Sequence, residues 1–401
     1  MSGSARRVAV TGLGAVAAIG QDAASVWNAM TRGDCGIRPI ANIPTERLSV
    51  RTAAEVMGFD PAVHFDRRRL PLLDRNAQLA LVAARQAMVD VDLSSVAPQR
   101  GGVVLAAAVG QDSFEASYRG FYGEQQNRFP PFTVPRCMPS AAASHVSMEF
   151  GLRGPCFAVA SACASATHAI GLAFQMIRGG MLDIAVTGGS DASITPGFMK
   201  AWEAMRVLSP DVCRPFSRDR SGLVIGEGAA IFMLEEWGRA VSRGADIVAE
   251  VVGFGMSADA ADITAPNETG AAQAMQDALA DAGLPAEAIG YINAHGTGTR
   301  LNDRAEVAAI RAVFGAAPPP VSSVKAMLGH CLCAGGGLEF LATVQALRTG
   351  VLPPTIGFRE ADPECAIDCV ANVARESRVM HAMSNSFAFG GLNAVLVASS
   401  V

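Results

Sequence analysis

The nine cysteines of this 401-residue chain include no Cys-x-x-Cys pair, and their spacing fits no zinc framework. Cys331 and Cys333 are nearest, too close along one helix for a disulfide or a complete metal site. No metal is expected, and the thiols read as reduced, in a cytoplasmic protein. Positive charge is also scarce: 32 Lys and Arg stand against 37 Asp and Glu, a net charge of −5. No global basic field exists to attract nucleic acid. A signal peptide is not expected either, because Arg6-Arg7 leads into a strand and not into an apolar run. Pro155–Ile177 contains no charged residue and is long enough to imitate a membrane span. Its Ala, Ser, Cys163 and His168 read instead as a buried strand and core helix. No segment looks like a linker, and only Ala316-Ala317-Pro318-Pro319-Pro320 is low in complexity, a surface turn before a strand. Thr11-Gly12-Leu13-Gly14 lacks the third glycine of a dinucleotide-binding fingerprint, since Ala17 stands there. It reads as a tight turn after the first strand.

What the chain does have is apolar bulk. Hydrophobic residues make up 50% and charged residues 17%, with a mean hydropathy of +0.27. That suits a large core and a wide buried interface, so an oligomer is expected. Apolar runs and helical periodicities alternate, which predicts an α/β protein with buried strands. In the first half, strands are expected at 7–11, 102–108, 157–160, 184–188 and 229–235, and helices at 23–32, 72–90, 141–150 and after Cys163. The alternation restarts with strands at 247–253, 289–293 and 393–398 and helices at 270–282, 303–314 and 335–349. A duplicated α/β half with a join near 240–255 follows.

Within this frame, Val159-Ala160-Ser161-Ala162-Cys163-Ala164-Ser165-Ala166 runs from a strand through small residues into a helix. The unpaired amides and positive end of a helix dipole favour a thiolate at Cys163. A buried structural cysteine is the alternative. Three later segments carry polar groups in unusual settings. His295 ends the strand Tyr291-Ile292-Asn293-Ala294 and precedes Gly296-Thr297-Gly298-Thr299. Lys325 and His330 follow Val321-Ser322-Ser323-Val324, and Glu339 lies on the next helix. Ser384-Asn385-Ser386-Phe387-Ala388-Phe389-Gly390-Gly391 ends in a glycine pair that admits close backbone approach. Of six histidines, only His295 and His330 share a strand-end, glycine-flanked context.

Together these four segments resemble the β-ketoacyl-[acyl carrier protein] synthases of the elongating, KAS II-like type. The resemblance runs from Val8-Ala9-Val10-Thr11-Gly12 to Asn393-Ala394-Val395 and includes Arg214-Pro215-Phe216-Ser217, Gly226-Glu227-Gly228-Ala229 and Pro353-Pro354-Thr355. Met138-Pro139-Ser140-Ala141-Ala142-Ala143 and His295-Gly296-Thr297-Gly298-Thr299 are most similar to the nodulation protein E-type branch. The resemblance implies a thiolase-like αβαβα fold of two halves, 1–248 with the nucleophile and 249–401 with the two histidines. It implies decarboxylative condensation of an acyl group held on Cys163 with a malonyl carrier thioester, without a cofactor. Cys163 and Phe389 would supply oxyanion amides, His295 and His330 enolate donors, and Lys325 with Glu339 positive charge and support. Thr297 and Thr299 would bind the pantetheine arm, Val109 and Trp202 would line the acyl pocket, and Phe389 would gate it. Arg67, Arg68 and Arg69 form the densest basic run and are the expected docking patch for an acyl carrier protein. Implied partners are that carrier, a second copy in a homodimer, or a chain-length-factor-like subunit. A non-catalytic chain-length factor is the alternative function, although all four catalytic residue types are present. A degradative thiolase would need a second cysteine near Phe389, and none is there. Two departures from the usual pattern are Cys333, where glycine is common, and Gly335-Gly336-Gly337, expected to loosen the following helix.

Overall fold

The computed structural model describes residues 6–108 and 110–401. Ten strands form one mixed sheet: β1 (Val8–Ala17), β2 (Gly101–Ala106), β3 (Cys156–Val159), β4 (Ile184–Asp191), β5 (Gly228–Glu236), β6 (Ala249–Ala258), β7 (Ile289–Asn293), β8 (Val321–Ser322), β9 (His381–Ala388) and β10 (Leu392–Ser399). Their order is β8-β7-β9-β10-β6-β1-β5-β4-β2-β3. From the centre outward it reads 1-5-4-2-3 on one side and 6-10-9-7-8 on the other, the same path taken twice. The two runs meet where Val8–Val10 pair antiparallel with Ala249–Val251.

The helices repeat in the same way. α1 (Arg75–Ala87) and α2 (Ala141–Phe150) pack on the outer face of the first run, and α3 (Ser165–Arg178) on its inner face. α4 (Pro196–Ala204) follows β4. In the second run α5 (Glu268–Ala282) covers the outside of β6 and β10, with α6 (Arg300–Phe314) beside it. α7 (Gly335–Thr349) lies inside. α3 and α7 touch each other and strands of both runs, so the layers are helix, sheet, helix, sheet, helix. α3 shows why: Ala166, Ala169, Ile170, Ala173, Phe174 and Ile177 are buried at helical spacing, and Gly171 lies against Phe254 of β6, in the second half of the sheet.

Several sequence expectations shift. The helix expected at 72–90 starts at Arg75, because Leu70–Leu72 forms a separate turn and Asp74 caps Asn76 N at 3.3 Å. Thr11-Gly12-Leu13-Gly14 is not a turn but part of β1, with a bulge between Val10 and Gly12. The glycines are needed for contact: a Cβ on Gly12 would lie 1.9 Å from Ala87 O, and on Gly14 1.8 Å from Ala83 O. The Gly335–Gly337 run does not loosen α7. All three are buried, and a Cβ on Gly336 would lie 2.1 Å from Thr167 Oγ1, so these glycines let the central helices meet. Among the described residues, no helix is long and apolar enough to cross a membrane.

Candidate active site

Cys163 lies in the turn between β3 and α3. Ala162 adopts φ +46, and a single 3-10 turn, Ala162–Ala164, leads into the helix. Ser165 Oγ holds this turn, accepting from Ser161 N at 2.9 Å and donating to Ala162 O at 2.6 Å. Left-handed backbone at a non-glycine residue costs about 1–2 kcal/mol, and here it directs the sulfur into the interior. His330 arrives from the second half, through β8, one helical turn at Lys325–Leu328, and Gly329 at φ +65. Its backbone is tied to the chain after Leu223: His330 N donates to Val224 O at 2.6 Å, and Gly226 N to His330 O at 3.0 Å. Nε2 then stands 3.1 Å from Cys163 Sγ.

His295 follows β7. Glu306 of α6 fixes it from below, accepting from His295 N at 2.8 Å and Gly296 N at 2.7 Å. The His295 and His330 rings are 5.4 Å apart and nearly perpendicular. Lys325 Nζ donates to His295 Nδ1 at 3.1 Å and His295 O at 2.6 Å, and pairs with Glu339. Three donors meet three acceptors, which is what a buried ammonium requires. Glu339 also accepts from Ser386 Oγ at 3.3 Å, and Ser386 shares a 2.7 Å hydrogen bond with Thr167 of the central helix.

The electrostatics correct one expectation. Cys163 is not held as a thiolate: burial pushes its thiol up to about 12, and the Glu339 and Asp191 carboxylates oppose ionisation further. Lys325 acts the other way but does not overcome burial. Both histidines lie well below the ordinary imidazole range, first through burial and then through Lys325. They are neutral near pH 7. Because Lys325 donates to His295 Nδ1, the hydrogen of His295 is on Nε2. Burial pushes the Glu306 carboxyl up to about 7 despite its two amide donors.

A cavity of about 610 Å³ opens at this point, lined by Cys163, His295, His330, Thr297, Thr299 and Phe389 among others. Thr297 Oγ1 and Thr299 Oγ1 are 2.9 Å apart. Phe389 leads into Gly390 and Gly391, at φ +84 and +67, and stacks on Trp202 of α4 with centroids 5.9 Å apart. Trp202 and Phe389 both line the cavity. Val109 lies outside the described residues. Arg67 and Arg68 are exposed, whereas Arg69 pairs with Glu149, which also binds Arg85 at 2.7 Å. The basic run thus presents two free guanidinium groups at most, and none of its residues lines the cavity. Glu306, Asp303 and Arg220 were not legible as site residues. The one signal was two acids three apart in the first two turns of a helix after the Gly-Thr turn, too common a pattern to decide.

Residues 5–240 match the family Beta-ketoacyl synthase, N-terminal domain, and residues 248–359 match Beta-ketoacyl synthase, C-terminal domain. The chain is 48% identical over 396 residues to Nodulation protein E of Rhizobium sp. (strain N33), covering 98% of each. It is 40% identical over 404 residues to 3-oxoacyl-[acyl-carrier-protein] synthase 2 of Staphylococcus aureus (strain COL), again 98% of each. The ishigamide ketosynthase/chain length factor structure superposes with a TM-score of 0.95 at 36% identity, covering 99% of this chain and 100% of that one.

Proposed function

This chain belongs to the β-ketoacyl synthase family, and from that membership we propose that Cys163, His295, His330, Lys325 and Phe389 carry out its condensation. The protein is an acyltransferase with the thiolase-like fold of that family. The observation that carries the residue assignment is the convergence of Cys163 Sγ and two neutral imidazoles on one cavity, with a fully bonded Lys325 behind His295.

In the first half-reaction Cys163 attacks the thioester of an acyl-carrier donor. Its thiol is protonated at rest, so the S–H proton passes to His330 Nε2, the imidazole nitrogen in contact with the sulfur. The C–S bond to the carrier breaks and the departing sulfur takes that proton. The N–H groups of Cys163 and Phe389 receive the oxyanion. In the second half-reaction the malonyl carboxylate leaves as carbon dioxide and its electron pair forms an enolate. His295, with hydrogen on Nε2, donates to the enolate oxygen, and His330 joins it after its single hydrogen, on Nδ1 while Nε2 served as base, has exchanged through water to Nε2. The carbanion attacks the acyl-thioester carbon, the C–S bond to Cys163 breaks, and the sulfur takes up a proton from water. Thr297 and Thr299 hold the pantetheine arm, Trp202 bounds the acyl chain, and Glu339 supports Lys325.

Residues 1–248 supply the nucleophile and 249–401 the histidines, a division supported by the repeated strand order. The acyl carrier protein docks near Arg67 and Arg68. A second copy, or a chain-length-factor-like subunit, covers β3: this edge strand has Cys156 and Phe157 exposed, and an open edge invites pairing. Nine unpaired cysteines suit a reducing compartment, and we place the enzyme in the cytoplasm. The test is incubation with acyl-carrier and then malonyl-carrier protein, read by intact mass. Acyl transfer to Cys163 and then β-ketoacyl-carrier are expected. A well-folded protein that forms neither refutes the assignment.

A further inference from the structure

We propose that Arg220 and Asp303 form a buried clamp that sets the position of the Thr297–Thr299 turn and so governs affinity for the pantetheine arm. The proposal rests on the reading that those threonines bind that arm.

The turn needs outside support. Gly296 and Gly298 have φ +36 and +76, so the segment makes two left-handed steps within three residues. Thr299 opens α6 without a side-chain cap. Two side chains hold it. Asp303, fully buried in the first turn of α6, accepts from Gly298 N at 3.2 Å with one oxygen and from Phe216 N at 2.9 Å with the other. Arg220, 3% exposed, donates to Thr299 O at 3.4 Å, Arg300 O at 3.3 Å and Ser217 O at 3.0 Å. Its guanidinium lies 3.6 Å from Asp303 and pairs with Asp362. A third strut, Gly222 N to Gly298 O at 3.1 Å, comes from the Arg220 segment itself.

The chemistry fits a scaffold better than a reactive group. The guanidinium is committed to three carbonyls and two carboxylates, which leaves it no free role in proton transfer. Arg220 reaches Thr299 O through Nε and Arg300 O through Nη2, a fixed spread of two nitrogens that a single ammonium nitrogen does not reproduce. Both residues touch the backbone that carries the threonines, and neither is hydrogen-bonded to Cys163, His295 or His330. The clamp should therefore act on binding of the arm and not on the reacting atoms.

The experiment compares two hexanoyl donors in the Cys163 acylation half-reaction, read by intact mass: hexanoyl-pantetheine and the S-ethyl thioester, which has no arm. For Arg220→Lys, half-saturation by hexanoyl-pantetheine should rise about tenfold, with the maximal acylation rate within about twofold. The S-ethyl thioester should react as with wild type. Arg220→Met combined with Asp303→Asn removes both buried charges and keeps an oxygen for Gly298 N, so it serves if the single variant does not fold. Equal effects on the two donors, or none on either, overturn the clamp. Failure of the underlying reading looks different: Thr297→Ala with Thr299→Val would then leave half-saturation by hexanoyl-pantetheine unchanged.

Discussion

The turn Ala162–Ser165 before α3 and the turn Leu332–Gly335 before α7 occupy matching places in the repeated strand order. Each has a left-handed residue, Ala162 at φ +46 and Leu332 at φ +45, directly ahead of a cysteine. Each continues through one 3-10 turn into a central helix. Their surroundings differ. Cys163 opens on the cavity and meets His330 Nε2 at 3.1 Å. Cys333 does not line the cavity, and its amide is taken by Asp191 Oδ2 at 3.3 Å. Asp191 ends β4, and burial pushes its carboxyl up to about 6. One turn presents a nucleophile; the other presents His330, three residues before its cysteine, to the first. The same backbone thus serves two roles, and the side chains around it choose between them.

The largest expected effect separates the two cysteines. Cys163→Ala should lower condensation by roughly 10³-fold or more, the usual consequence of removing a nucleophile. Cys333→Ala should stay within about twofold of wild type. Comparable losses in folded proteins would end the asymmetry. Next come the imidazoles. His295→Ala and His330→Ala should lower condensation about 10²–10⁴-fold while acyl-Cys163 still accumulates on prolonged incubation with donor. Normal condensation by both would remove them from the mechanism.

Alkylation sharpens the electrostatic side of the comparison. A thiol near 12 is protonated throughout the working range, and its thiolate fraction grows tenfold per pH unit below that value. The rate of iodoacetamide labelling at Cys163, followed by mass, should climb without plateau from pH 7 to 10. A plateau near 8.5 would mean that the helix start dominates burial after all. The smallest effect concerns the acyl wall. Trp202→Ala should shift donor preference toward longer chains, by up to about fourfold per added methylene if each is fully buried. Loss of the aromatic costs roughly 3–5 kcal/mol of stability, so folding is checked first. An unchanged donor profile would make Trp202 core alone.

Much of this was legible along the chain because local patterns carry it. Alternating apolar runs located most strands, small residues around Cys163 marked a turn into a helix, and glycines beside His295 and His330 marked strand ends. The resemblance then joined segments more than a hundred residues apart. What stayed hidden depended on neighbours. Gly12 and Gly14 looked like a turn because only the approach of α1 explains them within a strand. The Gly335–Gly337 run looked loose because the crossing with Thr167 is not local.

The sequence by itself determined the chemical inventory and the repeated α/β order, since residue type and periodicity are properties of short segments. Tertiary structure alone decided the protonation state of Cys163, because desolvation depends on everything packed around the sulfur. It alone placed Glu306 under His295, stacked Trp202 on Phe389, and committed Arg69 to Glu149. Each of those facts is a distance between elements, and no local pattern encodes it.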